Sequence, residues 1–176
     1  MCKLFYLGFG MAYDIDFKER GYIREHIEEF LLFPDFWNDP NHQLNVVLNW
    51  HHIKFDSANL NAIPNNQKGI YCFVVKPVFS TLFETRYLFY IGETIRDFRT
   101  RYSEYLDDAA GKGKPRSRVF KMFKLWKDYL HFYYANITAN SDIHDSEEKL
   151  LNTFVPRVNT LIPEAKIKPE LKNIYL

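Results

Sequence analysis

Two glycine-bounded aromatic runs constrain this chain more than anything else in it. The first opens with Gly69, Ile70 and Tyr71 and continues through Cys72 to Val75; the second runs from Tyr87 to Tyr90, Ile91 and Gly92. Both read as β-strands. Alternation places Tyr71, Phe73 and Val75 on one face of the first strand and Ile70, Cys72 and Val74 on the other, and Pro77 and Ser80 lie in the connection. The pair is expected to form a hairpin with a long loop.

The surrounding chain supplies helices. Asp97 is placed to cap a helix running to about Leu106, with Phe98, Tyr102 and Tyr105 as its apolar stripe. Arg101 falls on the same stripe, where a guanidinium needs a partner or a task, because an unpaired buried charge is costly. A basic loop from Ala109 to Arg118 then leads into a helix from about Val119 to Leu130, with Val119, Phe120, Phe123 and Trp126 facing inward. A short strand is expected from Phe132 to Ile137. In the last helix Asp145 and Glu148 fit a capping box. Glu147 has no such explanation and shares a stripe with Leu150, Leu151 and Phe154, so its carboxylate is a candidate metal ligand or acid/base group. Pro156 stops this helix, and Asn159 follows.

Charge is unevenly spread. Residues 96–127 hold ten Lys/Arg against four Asp/Glu, in a chain whose net charge is only +1. Lys112, Lys114, Arg116 and Arg118 in the loop, with Lys121, Lys124 and Lys127 on the helix, form a strip suited to tracking phosphates. The 176 residues, 47% of them apolar, allow one domain with an appendage. No run reaches the ~20 apolar residues of a membrane helix. Cys2 and Cys72, the two cysteines, have no metal-type spacing. A reduced, cytoplasmic location is expected.

Residues 1–64 carry no readable motif. Lys3 to Phe9 reads as a strand, Tyr22 to Phe33 as an amphipathic helix, Leu44 to Trp50 as a strand continuing toward Phe55, and 56–68 as a linker. His51 and His52 would point to opposite faces of a strand and so do not pair as metal ligands.

Gly69-Ile70-Tyr71, Tyr90-Ile91-Gly92, an inward Arg101, an inward Glu147 and the run from Pro156 to Asn159 occur in the order found in GIY-YIG nucleases, and residues 69 to about 160 resemble that family. The resemblance implies an α+β domain over 65–176, a three-stranded antiparallel sheet flanked by helices; residues 1–64 lie outside it and read as an N-terminal α/β extension, a recognition element, a dimerisation element or a regulatory cap. It further implies metal-dependent cleavage of DNA phosphodiester bonds, in a restriction-like or a repair and mobile-element setting, with one Mg²⁺ (or Mn²⁺) per site. By position, Tyr71, Tyr90, Arg101, Glu147 and Asn159 are the catalytic set. Glu147 holds the metal, Arg101 forks onto the phosphate, Tyr71 orients or deprotonates water beside Tyr90, and Asn159 supports the site. A homodimer would let two such sites cut both strands. The chain departs from the pattern in its long inter-motif connection and in Glu93, where many members have lysine. The competing readings are a nucleic-acid-binding module that has this fold without the chemistry, and a protein-interaction protein.

Overall fold

The computed structural model describes residues 22–78 and 83–159. Four antiparallel strands form one open sheet in the order β1-β4-β2-β3: β1 His51–Lys54, β2 Gly69–Val75, β3 Tyr87–Thr94 and β4 Leu130–Asn136. Three long helices pack on it, α1 Phe98–Ala109, α2 Ser117–Trp126 and α3 Asn140–Phe154. The protein is therefore α+β. β2 and β3 are the expected hairpin, and β2, an interior strand, is buried along its whole length.

The two faces divide as alternation requires. Tyr71, Phe73 and Val75 join Phe98, Tyr102, Tyr105, Val119, Met122, Phe123 and Phe132 in one core, under α1 and α2. Ile70, Cys72 and Val74 join Tyr133, Ile143 and Leu151 in a second, under α3. A bulge interrupts the β2–β3 register: Phe73 pairs with Tyr90 and Val74 with Leu88, leaving Phe89 without a partner. A residue inserted in this way turns two consecutive side chains toward one side, so Phe89 and Tyr90 both lie against the Tyr71 core.

Several local expectations change. The sheet has a fourth strand, β1, because His51–Lys54 pairs with β4. Leu44 to Trp50, expected as strand, lacks ladder pairing, although Val46 and Leu48 still pack on the second core. Residues 56–68 are no slack linker. A 3₁₀ turn, Ser57–Ala62, is capped by Asp56, whose carboxylate accepts from the Ala58 amide at 2.9 Å. The Tyr102 hydroxyl accepts from the Asp56 amide at 2.8 Å, and Arg99 donates to the Ile63 carbonyl. With Phe55 and Ile63 buried in the Tyr71 core, the residues just before 65 belong to the same packed body as those after it.

The 22–33 helix is reduced to one turn at residues 22–25, and the Lys3 to Phe9 strand lies outside the described residues. Helix α3 starts at Asn140, five residues before the expected cap, so Asp145 caps nothing; it pairs with Lys149 at 2.9 Å instead. The capping-box assignment for Asp145 and Glu148 is thereby corrected. Among the described residues no helix is long and apolar enough to cross a membrane.

Candidate active site

The site forms where β3, an edge strand, passes Gly92. Tyr71 on β2 pairs across the ladder with Gly92, and its ring lies over that glycine: a Cβ there would stand 2.5 Å from the Tyr71 hydroxyl. The glycine of one motif thus makes room for the tyrosine of the other. Gly69 answers to a different demand, for its φ is +147° and a Cβ would meet the Ala135 carbonyl oxygen at 2.2 Å. Only glycine allows β2 to begin that close to the end of β4.

On the α1/α2 side, Tyr71 is wholly buried. Its hydroxyl lies 2.9 Å from that of Tyr105 and accepts from Arg101 Nε at 2.9 Å. Arg101 Nη1 donates to Glu104 at 2.8 Å, so the inward guanidinium has both a phenol and a carboxylate as partners. Arg96 reaches the same carboxylate at 2.7 Å. Burial opposes the charge on Glu104, but the hydrogen bonds from Arg101 and Arg96 hold its carboxyl below the usual range. Tyr90 lies beside this group, its ring centroid 6.3 Å from that of Tyr71. Arg116 comes in from the basic loop, its guanidinium 5.0 Å from the Tyr105 ring centroid and 3.2 Å from the Tyr90 hydroxyl.

This polarity bears on the chemistry. Burial first, then the neighbouring Tyr105 and Tyr90, push the Tyr71 phenol well above its ordinary value; Arg101 opposes only in part. Tyr71 is therefore a neutral phenol, suited to positioning by hydrogen bonding rather than to deprotonating water.

On the α3 side, Glu93 follows Gly92 and pairs with Ile70, which places it on the face opposite Tyr71. Its Oε1 is 2.7 Å from His144 Nδ1, while Oε2 is buried without a hydrogen-bond partner. Glu147, one turn along α3, is half-buried. Burial, then the negative charge of Glu93, push its carboxyl up to about 7, against smaller opposing effects from His144, the Glu93 amide and Arg101. The sequence placed one carboxylate here, and the fold brings two. Glu147 and Tyr71 occupy different faces of the sheet, and Arg101, bonded to Tyr71, is the group whose charge also reaches Glu147.

Asn159 is taken up by backbone. Its Oδ1 accepts from the Ile91 amide at 3.0 Å and its Nδ2 donates to the Ile91 carbonyl at 2.8 Å. With the Val158 amide bonded to Phe89 O, this closes the outer side of β3 between Tyr90 and Gly92. Asn159 thus holds the β3 backbone in place.

The basic strip is partly spent internally. Lys112 pairs with Asp107 at 2.8 Å, Arg116 is turned onto the tyrosines, and Lys121 stands 3.9 Å from Glu28. Arg118 helps line a small cavity with Glu28, Phe89 and Arg157. Lys114, Lys121, Lys124 and Lys127 remain exposed.

Sequence reasoning missed Tyr105, Glu104, His144 and the second carboxylate. Tyr105 sits at i+4 from Arg101 and Glu104 at i+3, a spacing that places them beside the guanidinium on one helix face. Among the described residues no group of three or more His, Cys, Asp or Glu side chains is arranged to hold a metal ion. Comparison with protein-family models, with curated proteins and with solved structures found no match.

Proposed function

We propose that the protein is a GIY-YIG-like endonuclease that hydrolyses phosphodiester bonds of DNA with a divalent cation. The observation that carries this reading is the convergence at Gly92: Tyr71, Tyr90 and Arg101 meet on one side of an edge strand, and Glu93, the next residue, faces α3 and Glu147 on the other.

A cation suits the residues present. Two carboxylates placed together raise the cost of their charge, Glu93 Oε2 is buried without a partner, and magnesium is often bound through one or two carboxylates with water completing its shell. Glu147, with Glu93 adjoining, would hold Mg²⁺ or Mn²⁺, which supplies charge neutralisation at the phosphoryl oxygens and a more acidic bound water.

The chain's own groups do the rest. Arg101 presents a planar fork, and a phosphate competes with Glu104 for its Nη atoms. Tyr71, held by Arg101 and Tyr105, fixes the guanidinium's position and offers a neutral hydroxyl. Tyr90, steadied by Arg116, borders the same space. Asn159 sets the height of β3, and the exposed lysines of α2 hold the flanking backbone. Water adds to phosphorus, the bond to the departing sugar oxygen breaks, and that oxygen takes one of the water's protons.

The complete burial of Tyr71 and the engagement of Arg101 by Glu104 favour a second reading, a binding module of the same fold without the chemistry. Plasmid nicking by the purified protein separates the two. Nicking that requires Mg²⁺ or Mn²⁺, stops in EDTA and is lost in Glu147→Ala supports the enzyme. Equal cutting by wild type and Glu147→Ala removes Glu147 from the mechanism, and salt-sensitive DNA binding without cutting selects the module.

A further inference from the structure

Two cations, Lys76 and Arg86, meet two imidazoles and a phenol at the other end of β2, where the inter-motif loop leaves and returns, and nothing in the nuclease reading uses them. We propose that His52, Lys76, Arg86, His131 and Tyr133 form a second site, which binds the oxyanion of a phosphate group.

Register builds it. β1 pairs His52 with Tyr133, and β2 pairs Val74 with His131, so the three ring side chains lie together on the α3 face of the sheet. The His52 ring stacks on Tyr133 at 4.7 Å between centroids and meets the His131 ring edge-on at 5.7 Å. Arg86, just before β3, carries its guanidinium over the Tyr133 ring at 6.0 Å. Lys76, just after β2, has a side chain only 17% exposed.

Two polar groups in this patch have no protein partner. Tyr133 is 9% exposed and its hydroxyl makes no hydrogen bond; His131 Nδ1 is likewise buried and unbonded. An orphaned buried group forfeits its hydration with nothing in return, which makes two side by side an unusual feature unless a ligand satisfies them. Charge points the same way. Glu84 is shared by Lys76 at 2.9 Å and Arg86 at 2.5 Å, so one carboxylate serves two cations. Burial, then Lys76, His52, Lys54 and Arg86, lower the His131 imidazole to about 4. The same two long cations, after burial, lower His52, and Glu84 alone opposes them. An ammonium and a guanidinium that share a single carboxylate, beside a phenol and an imidazole, suit a tetrahedral oxyanion with several acceptor oxygens.

That phosphate has two possible sources, a nucleic-acid backbone or a small phosphate compound. Along β2, Val74 lies four residues from Ile70, the partner of Glu93, or about 13 Å. The site is thus set apart from the edge of β3 and does not depend on cleavage.

Imidazole NMR of the full chain in EDTA tests the proposal, with inorganic phosphate in one titration and a phosphorothioate DNA duplex in the other, each against chloride at equal ionic strength. We expect saturable shifts of the His52 and His131 signals and a His131 pKa raised by about one unit or more in the bound state. Lys76→Ala and Arg86→Ala should each weaken the effect about tenfold or more. Tyr133→Phe, which keeps the ring, should weaken it several-fold with circular dichroism unchanged. Shifts with both probes, or with DNA alone, assign the site to a backbone phosphate; shifts with inorganic phosphate alone assign it to a small phosphate compound. No saturable shift with either, or shifts that chloride reproduces, overturns the proposal. Nicking by the wild type is scored separately, so failure here and failure of the nuclease reading are told apart.

Discussion

Replacing Gly92 with alanine tests the central geometric argument, that the glycine of one motif exists to seat the tyrosine of the other. The added Cβ would stand 2.5 Å from the Tyr71 hydroxyl and 2.6 Å from Cζ, against about 3.5 Å for ordinary contact. The ring must therefore retreat by about 1 Å. It has nowhere easy to go, since Phe132 stacks on it at 5.4 Å and Tyr105 meets it at 5.7 Å. Overpacking of this kind costs about 1–3 kcal/mol. Loosening the two hydrogen bonds of the Tyr71 hydroxyl adds about 0.5–1.5 kcal/mol each, for a total of about 2–6 kcal/mol from a fold whose whole stability is about 5–15 kcal/mol. Urea denaturation of Gly92→Ala, Tyr71→Leu and the double variant closes a cycle. Leucine lacks the ring atoms that clash, so adding Gly92→Ala to Tyr71→Leu should cost little, giving a coupling of about 2 kcal/mol or more. Additivity within about 0.5 kcal/mol would refute the seat argument.

Three other perturbations have clear directions. In EDTA, Glu147 should weaken the fold as pH rises. Its folded value of about 7 lies above the ordinary glutamate value of about 4.3, so the folded state binds more protons between the two and stability declines across that window, by about 1 kcal/mol after allowance for partial exposure. Glu147→Gln should flatten this slope in denaturation midpoints measured from pH 4.5 to 8, and a slope left unchanged would place the effect elsewhere. Asn159→Ala should cost about 1–3 kcal/mol, because it strips two hydrogen bonds from the Ile91 backbone, and hydrogen exchange should report faster opening at the Ile91 amide while amides of β4 stay protected. Arg101→Lys keeps the charge but cannot hold Tyr71 and Glu104 as a fork does; nicking should fall about a hundredfold or more with DNA affinity at low salt nearly intact, and wild-type rates would exclude Arg101 from phosphate recognition.

Sequence period carried the central elements well, for a simple reason. Strands β2 and β3 and helix α1 are marked by glycines or a capping aspartate and carry a clear apolar period, on both faces of β2 and on one face of α1, so local chemistry and packing agree. Asp97 does cap α1, accepting from the Thr100 amide at 2.8 Å, and Phe98, Tyr102 and Tyr105 are its buried residues. Where they disagree, local signals mislead. Asp145 looks like a cap, but the apolar stripe through Ile143 extends α3 backward to Asn140. Residues 44–50 alternate like a strand, yet only His51–Lys54 finds a partner, on β4. The polar 56–68 stretch reads as a linker because nothing local reveals that Tyr102 and Arg99, more than thirty positions away, hold its backbone. For the candidate site, a one-dimensional pattern shows which residues point inward and not which of them meet; Glu93 appears in sequence only as a missing lysine.

The direction of the hydrogen bonds limits what the phenols can do. A guanidinium only donates, so the Tyr71 oxygen must accept from Arg101, and the remaining question is which of Tyr71 and Tyr105 gives its proton to the other. If Tyr105 donates, the Tyr71 oxygen has both lone pairs occupied and its own O–H is free to turn outward. If Tyr71 donates, its proton is spent inside the core. Only the first arrangement leaves Tyr71 a group to offer a phosphoryl oxygen or an attacking water. Arg116, which reaches Tyr90 and lies over the Tyr105 ring, places a second positive charge beside the pair and opposes the rise that burial and Tyr90 impose on the Tyr105 phenol. A phenol eased toward ionisation is the better hydrogen-bond donor, so Arg116 favours the arrangement that frees the Tyr71 hydroxyl. The basic loop thereby bears on the Tyr71 hydroxyl through Tyr105.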